Sequence, residues 1–309
     1  MKSAAVDPLR GAPAQQAGRR IALLLVNPQA RTAADRFDAA VQSLEAADLK
    51  LVTPDLDDKD AAGDAIARYA DSCDLVIVGG GDGSLHAALQ HLVGKKLPLG
   101  ILPLGTANDL AKSLGVPSDL VAACRVIAAG ARRQIDVGSV NGTYFFNEMS
   151  IGMSPTVSRL LTKDVKAKLG IFALLYRALQ VLRRMRRFAA QVNCDGKEIV
   201  LRTVQLTIGN SQSFGGFVAS DEASIDDHKL DLYSVSFRYW WSFPEALQAM
   251  TLRRYDDARS VVTMHGKAFD IRTKRPRPIE ADGEIVSMTP ARVRVVPNAI
   301  SIFVPAAEA

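Results

Sequence analysis

Through the first half of the chain, short apolar runs alternate with longer stretches in which apolar residues return every three or four positions. Ile21 to Val26 is a run of the first kind. Ala33 to Ala47 is of the second, with Phe37, Val41 and Leu44 on one helical face. Leu49 to Val52 reads as a strand, Ala61 to Ala70 as a helix and Asp74 to Val78 as a strand. Leu85 to Val93 and Leu99 to Leu102 repeat the helix and strand once more. Strands that are apolar on both faces and alternate with helices predict a parallel sheet covered on both sides.

After about Arg133 the pattern changes. Ile135 to Val140 and Thr143 to Asn147 flank Asn141-Gly142, a pair suited to the tight hairpin turn in which both central residues need positive φ. Val200 to Ile208, Leu230 to Val235, Val293 to Val296 and Ile300 to Val304 also read as strands, joined by turns instead of helices. The expected fold class is α/β in two domains. Residues 20–134, joined by 300–309, form an α/β domain with a parallel-type sheet. Residues 135–299 form a β-rich, antiparallel, sandwich-like domain, and residues 1–19, rich in Ala, Gly, Pro and Gln, a disordered tail. The active site is expected in a cleft between the two domains.

Composition narrows the class. A chain of 309 residues, 48% hydrophobic and 23% charged, is ordinary globular material. No apolar run reaches the roughly 18 residues of a membrane-spanning helix. Arg19-Arg20 before Ile21 to Val26 has the order of a secretion signal, but six apolar residues ended by Asn27-Pro28 are too few. Cys73, Cys124 and Cys194 are odd in number and widely spaced, which fits reduced thiols in a cytoplasmic protein. The net charge of +5 is concentrated: Lys163 to Arg187 holds eight Lys or Arg against one acid, so that segment carries +7 and the remainder −2. Basicity confined to one surface argues against a nucleic-acid-binding protein.

The run Val78-Gly79-Gly80-Gly81-Asp82-Gly83-Ser84 leaves the third strand and enters a helix. Ordering four glycines in five positions costs chain entropy. What such a turn gains is a row of main-chain N–H groups at a helix N-terminus, able to cradle phosphate oxygens. A turn packed for its own sake is the alternative, and neither GxGxxG nor the lysine-bearing Walker pattern fits. A second strand-to-helix turn within Gly100 to Ala111 places Thr106, Asn108 and Asp109 on the same sheet edge, where ligands bind to parallel sheets. Helix capping is the other reading of Asn108 and Asp109.

Together, GGGDGS and LGILPLGTANDLAKSLGVP resemble the diacylglycerol kinase catalytic family, most closely its bacterial lipid kinases of the YegS and DgkB type. Later landmarks agree: Ile135 to Gly138, Phe145 to Asn147, Ile151-Gly152, Ile208 to Asn210, Asp226-Asp227 before Leu230-Asp231, and Asp282-Gly283-Glu284. The resemblance implies a nucleotide-binding first domain, with ATP as phosphoryl donor and Mg²⁺ as cofactor. Asn27 and Thr53, after the first and second strands, match nucleotide-contacting positions. Gly79, Gly80, Gly81, Asp82, Gly83 and Ser84 match the phosphate loop, Ser84 standing for the usual Thr, and Thr106, Asn108 and Asp109 match the third segment. Pro28-Gln29-Ala30-Arg31 lacks the common glycine, and His86-Ala87 stands where Asn-Glu is usual.

The resemblance also implies roles in chemistry. Asp82 would hold Mg²⁺ directly or through water, and Glu284 would accept the proton of a lipid hydroxyl. Asp282 stays open as the base, and a plain hairpin turn is the alternative for the triplet. Asp227, with the main-chain carbonyls of Ser224 and Lys229, matches a further, structural Mg²⁺ site, although His228-Lys229 replaces the usual Gly-Leu. Lys166 to Phe188 reads as an amphipathic helix with Leu169, Phe172, Tyr176, Leu179 and Leu182 along one side. It suits an anionic membrane surface, or packs its apolar stripe on the β-rich domain. Arg272, Lys274, Arg275 and Arg277 form a second basic patch, while Trp240 and Trp241 read as core or as interfacial anchors.

The expected function is therefore an ATP- and Mg²⁺-dependent lipid kinase, peripheral at the inner face of the membrane. Its acceptor would be diacylglycerol, phosphatidylglycerol or a sphingoid-like lipid, and homodimerisation stays open. Two rivals remain. One is a soluble-substrate kinase of the NAD kinase kind, whose asparagine-rich loop has no counterpart here. The other is a non-catalytic nucleotide- or lipid-binding regulator, to which the loop at Gln29 and His86-Ala87 point.

Overall fold

The structure is a computed structural model that describes residues 19–26, 34–54, 56, 61–152, 187–210, 213–214, 217–218, 225–236 and 261–306. The expected tail up to Gly18, Asn27 with the loop at Gln29, the basic segment up to Arg186, Ser224 and Trp240-Trp241 lie outside the described residues. The chain divides into two compact units, residues 1–133 with 300–309, and residues 134–299.

In the first unit the chain runs β1 (Arg20–Val26), α1 (Ala34–Ala46), β2 (Leu49–Val52), α2 (Ala61–Tyr69) with a 3-10 turn (Ala70–Ser72), β3 (Leu75–Gly80), α3 (Asp82–Leu92), β4 (Leu99–Pro103), α4 (Asp109–Ser113) and α5 (Leu120–Ala129). The strands lie in the order β2-β1-β3-β4, all parallel. Every residue of β3 and β4 is buried, which is why these strands appear in the sequence as unbroken apolar runs. The order reverses between β1 and β3, the point at which open parallel sheets bind ligands.

Two helices differ from the expectation. α3 begins at Asp82 and not at Leu85, because Gly81 O already accepts from Ser84 N (3.0 Å) and Leu85 N (3.2 Å). Gly83 and Ser84 thus belong to the helix's first turn. α5 is not visible as a periodic pattern, yet both its ends are marked: Asp119 Oδ1 accepts from Ala122 N at 2.9 Å, and Gly130 follows with φ +79°.

The second unit is built from β5 (Arg132–Val140), which begins in the first, then β6 (Thr143–Phe145), β7 (Glu148–Ile151), β8 (Phe188–Cys194), β9 (Lys197–Thr203), β10 (Gln205–Gly209), β11 (Ser213–Phe214) and β12 (Phe217–Val218). It continues with β13 (Leu230–Val235), β14 (Val261–Gly266), β15 (Ala268–Thr273), β16 (Pro278–Ala281), β17 (Glu284–Met288) and β18 (Ala291–Phe303). One antiparallel sheet has the order β14-β13-β10-β7-β16-β17, and a second set runs β18-β15-β8-β9. Met149, Leu206, Ile208, Leu232 and Ile279 of the first sheet share one core with Val192, Leu201, Phe269, Ile271 and Val293 of the second. This is a sandwich, as expected. The end of β18 returns to the first unit, where Ile302 pairs with Leu99 in parallel.

The run Val200 to Ile208 is two strands, one in each sheet. The chain passes between them at Thr203-Val204, where the fully buried Thr203 Oγ1 lies 2.6 Å from Gln205 O and 2.7 Å from Val235 O. Conversely, Val293 to Val296 and Ile300 to Phe303 belong to the single strand β18, which ends one residue before Val304. Phe188 opens β8 and does not end a helix.

Three hairpins turn on an Asx-Gly pair with positive φ at both residues. They are Asn141-Gly142 (50° and 93°), Asp195-Gly196 (48° and 93°) and Asp282-Gly283 (46° and 87°). In each, the first side chain also reaches a neighbouring segment. Asn141 Oδ1 accepts from Arg292 N at 2.9 Å, and the Asp195 carboxylate accepts from Lys267 N and Ala268 N, both at 2.9 Å. Among the described residues no helix is long and apolar enough to cross a membrane.

All three cysteines are buried. Burial, aided by Asp74 and Asp119, pushes the Cys73 and Cys124 thiols up to about 11, and burial also raises Cys194. Since the thiolate is the nucleophile, the native protein should resist iodoacetamide at neutral pH and gain three reactive thiols on unfolding. Rapid alkylation of Cys73 or Cys124 in the folded state would contradict this packing.

Candidate functional site

β3 and β4 run side by side, with Gly79 opposite Leu102 and Gly80 opposite Pro103, so they release their turns next to each other. Leu104 N donates to Gly80 O at 3.0 Å. A Cβ placed on Gly105 would come within 2.4 Å of Gly81 Cα, and one on Gly81 within 3.1 Å of Gly105 Cα. A Cβ on Gly79 would come within 3.0 Å of Val26 and 3.2 Å of Leu104, and one on Gly80 within 2.4 Å of Ser84 Oγ. Packing thus explains Gly79, Gly80 and Gly81. It does not explain Gly83, where a Cβ would meet nothing within 4 Å. A glycine inside a helix costs about 1 kcal/mol relative to Ala, and here it leaves open space at the N-terminus of α3.

Side chains lock the two turns together. Asn108 has φ +50°, and its amide brackets Gly105: Oδ1 accepts from Gly105 N (3.0 Å) while Nδ2 donates to Gly105 O (2.7 Å). Its polar atoms therefore shape the turn. Asp82, in the first turn of α3, accepts from Leu110 N at 3.3 Å, so one carboxylate heads one helix and steadies the next. Asp109 is half-exposed, with Lys112 Nζ at 4.0 Å. Thr53, after β2, and Thr106 are exposed on the same carboxyl edge of the sheet. His86 is buried in α3 and faces the core.

In the second unit the Asp282-Gly283-Glu284 triplet divides its tasks. Asp282 Oδ2 accepts from Phe146 N (2.8 Å), and Oδ1 accepts from Asn147 N (2.9 Å) and Glu148 N (3.2 Å). Asp282 N in turn donates to Glu148 O at 2.9 Å. That carboxylate holds chain. Glu284 opens β17 opposite Ala281 and is half-buried.

Several landmarks that had no assigned role meet around the same segment. Asp136 is fully buried and accepts from His228 N (2.6 Å) and Asn298 N (2.8 Å), with His228 Nδ1 at 3.0 Å. Asn210 Nδ2 donates to Asp136 O (2.8 Å) and Phe146 O (3.1 Å), and Asn210 N to Asn147 O (2.8 Å). Gly138 makes room for the Phe145 ring, which a Cβ would approach to 2.0 Å. The available signal was a carboxylate and an amide in otherwise apolar strand ends, since buried polar groups require partners.

Of the donors that the resemblance implies for a structural Mg²⁺, Asp227 and Lys229 are among the described residues and Ser224 is not. Asp227 Oδ1 accepts from Lys229 N at 2.9 Å, closing a turn on itself. His228 adopts φ +61°, a conformation costing a non-glycine residue about 1–2 kcal/mol. No group of three or more His, Cys, Asp or Glu among the described residues could hold an ion. The carboxyl of Asp231 is pushed up by burial, against the pull of His265, whose Nδ1 contacts it.

The second basic patch is smaller than expected. Arg272, Lys274 and Arg275 are exposed, but the Arg277 guanidinium lies 4.0 Å over the Phe188 ring, and burial lowers its proton affinity. Two hollows of about 280 and 580 Å³ on the face of β18, β15, β8 and β9 share Asp270 and Arg272, and Arg292 and Arg294 line the smaller. Neither is lined by the glycine turns.

Residues 21–140 match the model of the diacylglycerol kinase catalytic domain, and residues 147–304 that of the YegS C-terminal NAD kinase beta sandwich-like domain. A diacylglycerol kinase of Staphylococcus aureus is 26% identical over 253 residues, which is 80% of this chain and 79% of that protein. An uncharacterized protein of Synechocystis sp. is 27% identical over 240 residues, 75% of this chain, and the match spans 55% of that protein's length. The crystal structure of a candidate diacylglycerol kinase from Bacillus anthracis aligns with a TM-score of 0.78 at 25% identity, covering 95% of this chain and 99% of that one.

The two kinds of glycine predict opposite responses. Gly105→Ala forces a backbone shift and should destabilise the fold by about 1–3 kcal/mol, the usual range for overpacking. Gly83→Ala has room and improves helix propensity, so it should stabilise by about 0.5–1 kcal/mol. Thermal unfolding of the two variants checks this, and equal shifts would remove the turn-to-turn contact from the account.

Proposed function

Because the chain belongs to the diacylglycerol kinase catalytic domain family, with the YegS C-terminal domain behind it, we propose that it is an ATP- and Mg²⁺-dependent kinase acting on a hydroxyl of a membrane lipid. The observation that carries the reading is the pair of touching turns at the carboxyl edge of the β3–β4 sheet. Main-chain N–H groups gather where a helix begins, and α3 presents its positive end there. Phosphate oxygens suit such a site, and the open space at Gly83 gives them access. Thr53 and Thr106 add hydroxyls on the same edge, and Asn27 would complete it after β1.

Mg²⁺ is commonly held by one or two carboxylates together with substrate phosphates, a donor set that Asp82 fits. When bound, the ion neutralises charge on the β- and γ-phosphates. Glu284 is the proton acceptor in this reading. The lipid oxygen forms a bond to the γ-phosphorus, the bond from that phosphorus to the ADP oxygen breaks, and the hydroxyl proton passes to Glu284. Asp282 serves the fold, since three main-chain N–H groups already bond to its carboxylate. Diacylglycerol, phosphatidylglycerol and sphingoid-like lipids are the acceptor candidates. Transfer from labelled ATP to a panel of these lipids tests the function, and no transfer to any lipid favours a binding role on the same fold.

Two predictions separate the roles. Glu284→Gln should lower turnover by about 10²–10⁴-fold, the range of acid–base assistance, with little change in ATP affinity. Asp282→Asn should instead lose about 1–3 kcal/mol of stability, because it places an amide where three donors converge. Normal turnover in Glu284→Gln with loss of turnover in a stably folded Asp282→Asn inverts the assignment.

Membrane docking at the inner leaflet would use Arg272, Lys274 and Arg275, exposed in the second unit, with the basic segment before Arg187. Each basic residue near an anionic surface contributes about 1 kcal/mol, and salt screens it. Binding to phosphatidylserine-containing vesicles should therefore weaken as salt rises, and reversing these three residues to Glu should weaken it further. Salt-independent binding that survives the reversals removes the electrostatic docking.

A further inference from the structure

We propose that the segment Asp227 to Lys229 is held in place by an internal imidazole clamp and not by a bound divalent cation. The buried carboxylate of Asp136 ties together three separate stretches of the second unit: its own strand β5, the turn at His228, and Asn298 in β18. A buried carboxylate needs donors or a cation. Asp136 has two main-chain N–H groups and the His228 ring, all from this chain.

His228 supplies two of those contacts from one residue, its main-chain N–H and its imidazole Nδ1. Because the facing atoms are carboxylate oxygens, Nδ1 carries the hydrogen. The neutral Nδ1–H tautomer and the imidazolium can both donate that hydrogen. The positive φ of His228 is one that glycine adopts without strain. A side chain kept there against that strain has a use, and the ring's contact with Asp136 is that use. Asp227 Oδ1 accepts from Lys229 N, so this carboxylate closes the turn from within the chain. Contacts within the chain thereby do the work that a cation would do at this turn.

The test uses the full chain without nucleotide or lipid, so its outcome is separate from the success or failure of the kinase reading. Thermal unfolding is measured in EDTA and in MgCl₂ for the wild type, His228→Gly and Asp227→Asn. The wild type should melt at the same temperature in both buffers. His228→Gly relieves the backbone strain but removes the ring, and should melt lower in both, with faster amide exchange at Lys229 and Leu230. A fall in the wild-type Tm on chelation, or a Mg²⁺-dependent rise that Asp227→Asn abolishes, overturns the proposal. So does a His228→Gly protein that melts at or above the wild-type temperature. If His228→Gly fails to fold, the wild-type comparison alone decides.

Discussion

Two main chains can touch only where neither carries a side chain, and the turns after β3 and β4 meet under that condition at Gly81 and Gly105. Neighbouring parallel strands lie about 4.8 Å apart, so turns leaving them on the same edge compete for the same space. The competition is settled here by removing atoms and then fastening what remains. Asn108 grips both polar groups of Gly105, and Asp82 reaches from one helix start to Leu110 in the next. The resulting platform is rigid main chain, with N–H groups whose direction is fixed by the strands beneath. A phosphate-binding reading rests on that rigidity more than on any one side chain.

The second unit meets a different constraint, because a sandwich must reverse its chain many times without losing register. Asn141, Asp195 and Asp282 each take the left-handed backbone that a two-residue turn demands, and each uses the same side chain to tether a neighbouring segment. His228 extends the principle with an imidazole. Turn and tether being one residue, the polar atoms that would otherwise be stranded at strand ends become the cross-links between them. Asp136 and Asn210 complete this polar layer at the edge of the apolar core.

Much of the first unit was legible because parallel strands buried on both faces leave unbroken apolar runs, as in β1, β3 and β4. The start of α3 was not, since glycine's low helix propensity hid a helix nucleated on Gly81 O. β9 and β10 read as one strand because the corner at Thr203 depends on Val235, far away in sequence. β18 read as two because Pro297-Asn298 looks like a break, although Asn298 at φ +49° keeps its N–H on Asp136. The glycine loop announced itself. The division of labour between Asp282 and Glu284 did not, because it is decided by amides 134 to 136 positions away.

β18 also sets an order of events on the ribosome. Its residues from Ile300 onward complete the first unit's sheet beside β4, yet they are translated only after the whole of residues 134–299. The first unit is encoded first and closed last. Until then the growing chain presents β4 with an open edge, the feature that invites pairing with other chains. The interval is the time taken to synthesise an entire sandwich, so a polypeptide stalled anywhere in the second unit leaves the paired glycine turns on an unfinished sheet.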